Sequence, residues 1–356
     1  MGLIPRNGDG SSSYDEDKLG FGNIFTDHML QMGYSADAGG WQAPEIGAFQ
    51  NLVLHPATMM LHYGQQVFEG LKAFAGAHEH DIFLFRPDMN ISRFNKSCER
   101  LCIPTVDPNL FMDHMAKLIR TDRNWIPRAH GTSLYIRPTV LATDPFLGVR
   151  PSKQYLFYII LSPVGAYYPE GFEPVKIMVT DKYVRACPGG LGEAKTAANY
   201  AASLLAAEKA HEAGFTQVLW LNAVDKVSIE EVGTMNIFFR LNDEIVTPEL
   251  EGTILPGVTR DSVIRYSQHL GLKVTERVIS IEEIVIAAEN GSLQEIFGSG
   301  TAAVISPVSH FRYKGKDYQV ADGKTGKVAA TLFEDITGMQ TGSKPDPFGW
   351  VVNIGR

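Results

Sequence analysis

Between residues 51 and 85 the apolar positions fall in short runs separated by turn formers. That pattern predicts strands over 51–54, 66–75 and 82–85, the last two joined as a hairpin through the turn 76–81. The spacing then changes: Met89, Phe94 and Leu101 recur at roughly helical intervals, which predicts a helix over 88–102. A second helix runs over about 108–124 and ends before Pro127. Strand composition returns over 134–141 and 154–161. The stretch 162–174 holds Pro163, Gly165, Pro169, Gly171 and Pro174, a density of punctuating residues that marks a connection between two units. We expect a smaller domain over 1–164 with a flexible N-terminal tail, a connecting loop over 165–174, and a larger domain over 175–356.

The second half opens with a strand over 175–180, a glycine-rich loop over 188–192, and an alanine-rich helix over 197–213 that stops at Gly214. A β-meander follows, with strands over 217–221, 235–241 and 244–247 and a turn over 222–225. Pro256 and Gly257 introduce a helix over 259–270, and another covers 280–290. Strands and helices are grouped by kind and do not alternate, which predicts an α+β fold and argues against a doubly wound sheet.

Composition narrows the functional classes. A chain of 356 residues, 44% hydrophobic and 20% charged, can bury two ordinary cores. Its net charge of −8, with acidic and basic residues interspersed, offers no basic stripe for nucleic acid or an anionic membrane. No apolar run reaches the roughly 18 residues of a membrane span. The N-terminal stretch is polar and lacks the apolar core of a signal peptide, and Arg6 stands where a myristoylation signal has Ser or Thr, so the expectation is a soluble, cytoplasmic protein. Cys98, Cys102 and Cys187 make neither a disulfide framework nor a zinc site. His78 and His80 flank Glu79 in a turn without metal-ligand spacing, so no metal is expected.

Lys195 is the first candidate for chemistry, because small residues (Ala194, Thr196, Ala197, Ala198) surround it between a glycine loop and a helix. On spacing alone such a lysine is an ordinary surface residue. A desolvated lysine can form a Schiff base with an aldehyde cofactor, and then a phosphate cradle and a group that tunes the ring are also needed. Candidates for both exist. At Leu255-Pro256-Gly257-Val258-Thr259 the chain turns into a helix whose first amides could meet a phosphate, although the same residues also suit a plain helix start. Gly298-Ser299-Gly300-Thr301-Ala302 follows a strand and could present further amides and hydroxyls. Arg93 on the first helix could pair with the same phosphate. Glu231, entering an apolar strand, is either a solvated strand end or the partner of a protonated ring nitrogen.

Taken together these segments resemble the branched-chain aminotransferases of the fold-type IV pyridoxal-phosphate enzymes, over most of the chain from about Phe21 to Val352. The matching stretches include Phe25-Thr26-Asp27-His28-Met29-Leu30, Leu61-His62-Tyr63, Phe68-Glu69-Gly70, Leu84-Phe85-Arg86-Pro87, and residues 133–138, 163–167, 231–237, 254–258 and 297–302. The resemblance implies a two-domain architecture like that of D-amino-acid aminotransferase, with the larger domain binding pyridoxal 5'-phosphate. It implies reversible ping-pong transamination of leucine, isoleucine and valine with 2-oxoglutarate. Lys195 would carry the cofactor and move the proton between the substrate Cα and C4′. Arg93, Val258, Thr259 and Thr301 would bind the phosphate, with Arg185 near it; Glu231 would meet the pyridine nitrogen, Tyr200 the phenolic oxygen, and Leu255 the ring face. Phe21, Tyr63, Tyr135, Tyr167, Thr234 and Ala302 would line the substrate pocket, and Arg137 would meet the γ-carboxylate of glutamate. Its partners would be amino acids and 2-oxo acids, with no nucleic acid or membrane, in a homodimer. Where mammalian relatives carry a Cys-x-x-Cys pair this chain has Ala303 and Ser306, so no thiol switch of that kind is expected. D-amino-acid aminotransferase and aminodeoxychorismate lyase, of the same fold type, share the lysine and phosphate logic, and a non-catalytic vitamin B6 carrier is the alternative from another class.

Overall fold

A computed structural model describes residues 14–165 and 172–355. The chain divides into two compact units, Met1–Tyr167 with Ala194–Ala197 and Gly338–Arg356, and Tyr168–Glu193 with Ala198–Thr337. The sheets are mostly antiparallel and carry helices between their strands, so the fold class is α+β as expected.

The first unit is built on an antiparallel sheet of nine strands. Eight of them are β1 (His28–Ser35), β2 (Gly40–Trp41), β3 (Glu45–Ala48), β4 (Gln66–Phe68), β5 (Leu71–Ala75), β6 (Ile82–Phe85), β7 (Ser133–Ala142) and β8 (Gln154–Val164); the ninth is the C-terminal strand Val351–Asn353. The order is Val351–Asn353, β6, β5, β7, β8, β1, β2, with β3 on β1 and β4 on β7. Because strand side chains alternate, one face of this sheet is core and the other is not. Leu71 and Ala73, Leu134, Ile136 and Val140, and Phe157, Ile159 and Leu161 point to the core side. There they pack on Ile91, Phe94 and Cys98 of α2 (Pro87–Arg100) and Phe111, Met115 and Ile119 of α3 (Pro108–Thr121), with Met59 of the short helix α1 (Met59–Tyr63).

Three expectations change here. Residues 51–54 form no strand, and Val53 is 97% exposed: a short apolar run beside Pro56 has no neighbouring strand with which to pair. The run 66–75 is broken at Glu69 and Gly70, because it passes Pro138 of β7, which lacks the N–H a continuous ladder needs; the Glu69 amide still reaches the Pro138 carbonyl at 2.9 Å. The segments Ala194–Ala197 and Gly338–Arg356 belong with the first unit, which makes it the larger one. The reason is backbone pairing: Thr196 bridges Val67, the Phe68 amide donates to the Lys195 carbonyl, and Val351–Asn353 adds to β6.

The second unit contains β9 (Val175–Thr180), α4 (Ala197–Glu212, from Ala198 on), β10 (Gln217–Leu221), β11 (Ile229–Val232), β12 (Met235–Leu241), β13 (Glu244–Thr247) and α5 (Val258–His269). After these come β14 (Lys273–Glu276), α6 (Ile281–Asn290), β15 (Leu293–Gly300), β16 (Val304–Tyr313), β17 (Lys316–Gln319) and α7 (Lys327–Gln340). Its sheet runs β11, β10, β9, β16, β15, β12, β13, β14, with β17 on β16. Since β11 also pairs with β12, six strands close on themselves and leave no free edge between them. The stacked rings of Phe238 and Phe297, 5.2 Å apart on neighbouring strands, pin the register of β12 against β15. The anticipated meander is real but longer than expected, because β11, with two consecutive glutamates and so little strand composition, lies between β10 and β12. Among the described residues no helix is long and apolar enough to cross a membrane.

Candidate active site

In the first unit the backbone of Lys195 is fixed before its side chain is considered. Its amide donates to Ser97 Oγ at 3.0 Å and its carbonyl accepts from the Phe68 amide at 3.1 Å. The next residue, the fully buried Thr196, donates its hydroxyl to the Gln66 carbonyl at 2.7 Å. The lysine is thus a short continuation of the β4 edge. Its Nζ lies 5.0 Å from the centre of the Phe68 ring, within cation–π range.

Asn90, Arg93 and Ser97 recur at helical spacing on one buried stripe of α2, beside the apolar stripe that enters the core. The helix therefore delivers a guanidinium, an amide and a hydroxyl to the same place. Glu69, wholly buried, receives the first two: Arg93 Nε at 2.6 Å and Nη2 at 2.9 Å, and Asn90 Nδ2 at 2.9 Å, with the Gly70 amide at 3.0 Å. Burial works to raise the Glu69 carboxyl, but the charge and hydrogen bonds of Arg93, then the charge of Lys195 and the Asn90 bond, outweigh it and hold the group below its ordinary value. The Lys195 charge thus acts on this pair.

On the sheet face away from the core, Lys72, Tyr135 and Ser162 stand directly opposite one another on β5, β7 and β8. Tyr135 meets the Phe21 ring edge-on at 4.8 Å, and Arg137 Nη2 donates to its hydroxyl at 3.3 Å. The Arg137 guanidinium also lies over the rings of Phe68, at 4.9 Å, and Tyr135. A Cβ on Gly70 would fall 2.0 Å from the Tyr135 oxygen, so glycine is what leaves the phenol room. Ser133 Oγ, Ser162 Oγ and Arg137 Nε are buried without a hydrogen-bond partner among the described residues, a donor set left over for a small polar ligand. Burial pushes the Lys72 ammonium down to about 8. Phe21, Tyr135 and Arg137, which the resemblance assigned to the substrate, therefore lie together. Tyr63 does not join them: it is 41% exposed and its hydroxyl donates to the Leu147 carbonyl. Tyr167 lies outside the described residues.

In the second unit Glu231, Asn236 and Ser299 form a row across β11, β12 and β15, directly opposite one another and therefore on one face. Glu231 Oε1 accepts from the Leu255 amide at 2.7 Å and is ion-paired with Arg185 Nη2, 3.2 Å away, and Asn236 Nδ2 donates to the Leu255 carbonyl at 2.9 Å. The row thus holds the loop that leads through Gly257, the N-cap residue, into α5. There is no space for a side chain at Gly257, whose Cβ would meet Asn236 Oδ1 at 2.0 Å. Arg185 Nη2 also donates to the carbonyls of Gly192, at 2.8 Å, and Thr253, at 2.6 Å. Arg185 Nε and Ser299 Oγ are buried with no partner among the described residues.

These residues fit pyridoxal phosphate: a buried carboxylate, of the kind a ring N–H needs, at one end of the row, and at the other a hydroxyl without a partner among the described residues, with a helix whose first amides, of Val258 and Thr259, have no intrahelical partner. Thr301 and Ala302 lie in the turn joining β15 to β16, Thr234 lies in the turn joining β11 to β12, and Tyr200 is half-buried on α4. No role for Glu69, Asn90, Ser97 or Asn236 was read from the sequence. The signal for Asn90 and Ser97 was a polar stripe at helical spacing, through Arg93, running beside an apolar one.

The class IV amino-transferase family model matches residues 66–311. Branched-chain-amino-acid aminotransferase 2 of Bacillus subtilis (strain 168) is 52% identical over 340 residues, covering 96% of this chain and 93% of that protein. The crystal structure of Escherichia coli branched-chain amino acid aminotransferase superposes with a TM-score of 0.77 at 28% identity, covering 92% of this chain and 99% of that one. A second branched-chain amino acid aminotransferase, from T.th. and solved with pyridoxamine 5'-phosphate, gives 0.75 at 26%, covering 95% and 99%. With a matched family model over most of its length and a half-identical relative along nearly all of it, the chain belongs to the class IV aminotransferases and, among them, to the branched-chain-amino-acid aminotransferase family.

Proposed function

We infer that this protein is a pyridoxal-phosphate-dependent branched-chain L-amino-acid:2-oxoglutarate aminotransferase, acting reversibly on leucine, isoleucine and valine by a ping-pong cycle. The observation that carries the reading is the row Glu231–Asn236–Ser299 beside the start of α5, which suits a cationic ring at one end and a phosphate at the other.

When bound, the cofactor supplies an aldehyde carbon that takes the amine and a ring that withdraws electron density from the substrate Cα. Lys195 would hold it, and its free amine would serve as the base that takes the proton from the substrate Cα and the acid that gives it back. The backbone and side-chain bonds that tie Lys195 and Thr196 to Ser97, Phe68 and Gln66 keep that amine in place from one half-reaction to the next. Glu231 would accept the ring N–H, its carboxylate held by the Leu255 amide and the Arg185 charge. Arg93, oriented by its two bonds to Glu69, is assigned to the phosphate with Val258, Thr259 and Thr301, and Arg185 near it. Tyr200 is assigned to the phenolic oxygen and Leu255 to the ring face. Phe21, Tyr135, Tyr167, Thr234 and Ala302 are assigned to the substrate, and Arg137 to the γ-carboxylate when glutamate replaces a branched side chain. The domain that binds the cofactor is the one that follows the connection at 165–174, and the working form is a cytoplasmic homodimer.

The test is to add L-leucine alone to the purified protein with bound cofactor and follow the visible absorption, with D-alanine in parallel. Loss of the band with L-leucine only, restored by 2-oxoglutarate, is expected, and D-alanine acting alone would sink the substrate assignment. Lys195→Ala is expected to abolish turnover while cofactor still binds; substantial leucine transamination by that variant would refute the role of Lys195.

A further inference from the structure

β11 departs from regular pairing at its two glutamates. Leu219 of β10 pairs with Val232 but Leu221 pairs with Ile229, so Glu230 and Glu231 together stand against Trp220. In an unbroken strand consecutive side chains point to opposite faces, and a bulge re-aims one of them. The result is visible in their partners. Glu231 takes the Leu255 amide, and Glu230 Oε1 accepts from the Thr253 hydroxyl at 2.7 Å, two residues earlier on the same loop.

Thr253 is therefore gripped at both ends, its hydroxyl by Glu230 and its carbonyl by Arg185 Nη2 at 2.6 Å. A second donor, Asn222 Nδ2 at 3.0 Å, holds Glu230 Oε1 from the turn that precedes β11. The loop has no slack on its other side, since a Cβ on Gly192 would fall 2.2 Å from the Thr253 carbonyl oxygen. Glu230 is 3% exposed, and its Oε2 has no hydrogen-bond partner among the described residues. Burying a second carboxylate beside Glu231 is unfavourable.

We propose that Glu230 is a positioning residue for cofactor binding: by holding Thr253 it places the Leu255 amide on Glu231 and sets the entry of α5. The inference rests on the pyridoxal-phosphate reading given above. Through the loop 253–257 one side chain governs both the orientation of the ring-nitrogen acceptor and the location of the phosphate amides. Neither Glu230 nor Thr253 is required to touch the cofactor.

The experiment compares Glu230→Ala, Glu230→Gln and Thr253→Val with the unaltered protein, each stripped of cofactor and titrated with pyridoxal phosphate. Binding by Glu230→Ala and Thr253→Val is expected to weaken about tenfold each, as for loss of one buried hydrogen bond to a charged group. Their double variant is expected to be no weaker than either single one, because both remove the same link. Glu230→Gln keeps an acceptor for Thr253 and is expected to bind within about twofold of the unaltered protein. In the loaded protein the pH midpoint of the visible band is expected to move by about half a unit or more in Glu230→Ala, because Glu231 turns from the ring nitrogen. A residue that merely supports the fold would lower the unfolding midpoint and leave that titration in place. Unchanged affinity and band midpoint in both Glu230→Ala and Thr253→Val would overturn the proposal. If Glu230→Ala does not fold, Thr253→Val, the smaller change, decides by the same criterion. Failure of the unaltered protein to develop a visible band would sink the cofactor reading itself, whereas a normal band with unaffected variants sinks only the role of Glu230.

Discussion

Glu69→Gln isolates the charge of the buried pair in the first unit without changing its shape. The carboxylate accepts four hydrogen bonds, two of them from Arg93, whose guanidinium is itself buried. An amide in its place can accept on one side only, so its NH2 faces a donor on the other, and Arg93 loses its counter-charge. Breaking a buried ion pair by removing one partner costs about 3–5 kcal/mol. In a domain of this size that lowers the unfolding midpoint by about 6–20 °C. The sign with pH follows from the carboxyl being held below its ordinary value: the stabilisation is fully present above the unfolded value of about 4.3 and is lost as pH falls through the lower folded one. Calorimetry should therefore find the deficit of Glu69→Gln constant from neutral pH down to about 5 and closing in more acidic buffer. Arg93→Met should cost a similar amount, and the double variant Glu69→Met/Arg93→Met should be at least about 2 kcal/mol more stable than the sum of the single losses. A deficit under about 1 kcal/mol at neutral pH, or additive single variants, would refute the pairing as a stabilising and orienting contact.

Two further substitutions probe other parts of the argument. Gly70→Ala puts a Cβ 2.0 Å from the Tyr135 oxygen, so the phenol must move off Arg137; steady-state kinetics should show KM for 2-oxoglutarate raised about tenfold, with a smaller change for leucine. Equal effects on both substrates would argue against a side-chain-reading role for Tyr135 and Arg137. Glu295 joins Arg240, at 3.1 Å, to the first amides of α7, accepting from Val328 at 3.0 Å and Ala329 at 2.9 Å. Glu295→Ala should lower stability by about 2–4 kcal/mol through loss of these charge-assisted bonds and leave cofactor affinity unchanged, which calorimetry and a pyridoxal-phosphate titration would check together.

Helices α2 to α6 were legible in the sequence because their information is local, whereas α1 and α7 were not read from it. Pro108, Pro256-Gly257 and Gly214 punctuate the chain where helices begin or end, and apolar spacing of α2 and α3 needs no knowledge of what they pack on. The β5–β6 hairpin was legible for the same reason: both strands and their turn lie within a few residues of each other. The residues assigned to the cofactor, Lys195, Glu231 and the Leu255–Thr259 segment, were named from resemblance.

Strands whose partners are distant were decided only by tertiary structure. His28–Ser35, rich in Met and Leu with no β-branched residue, is a strand because β8 lies alongside it more than a hundred residues later. The same holds for the site. Register puts Glu231, Asn236 and Ser299 in a row, and a bulge turns Glu230 toward the loop that Glu231 also holds, though the sequence has them as plain neighbours. Hydrophobic spacing determines which segments become helices or hairpins, since that free energy is gained within one segment. Which polar groups meet depends on pairings between remote segments, and their cost or benefit appears only when water has been excluded from both.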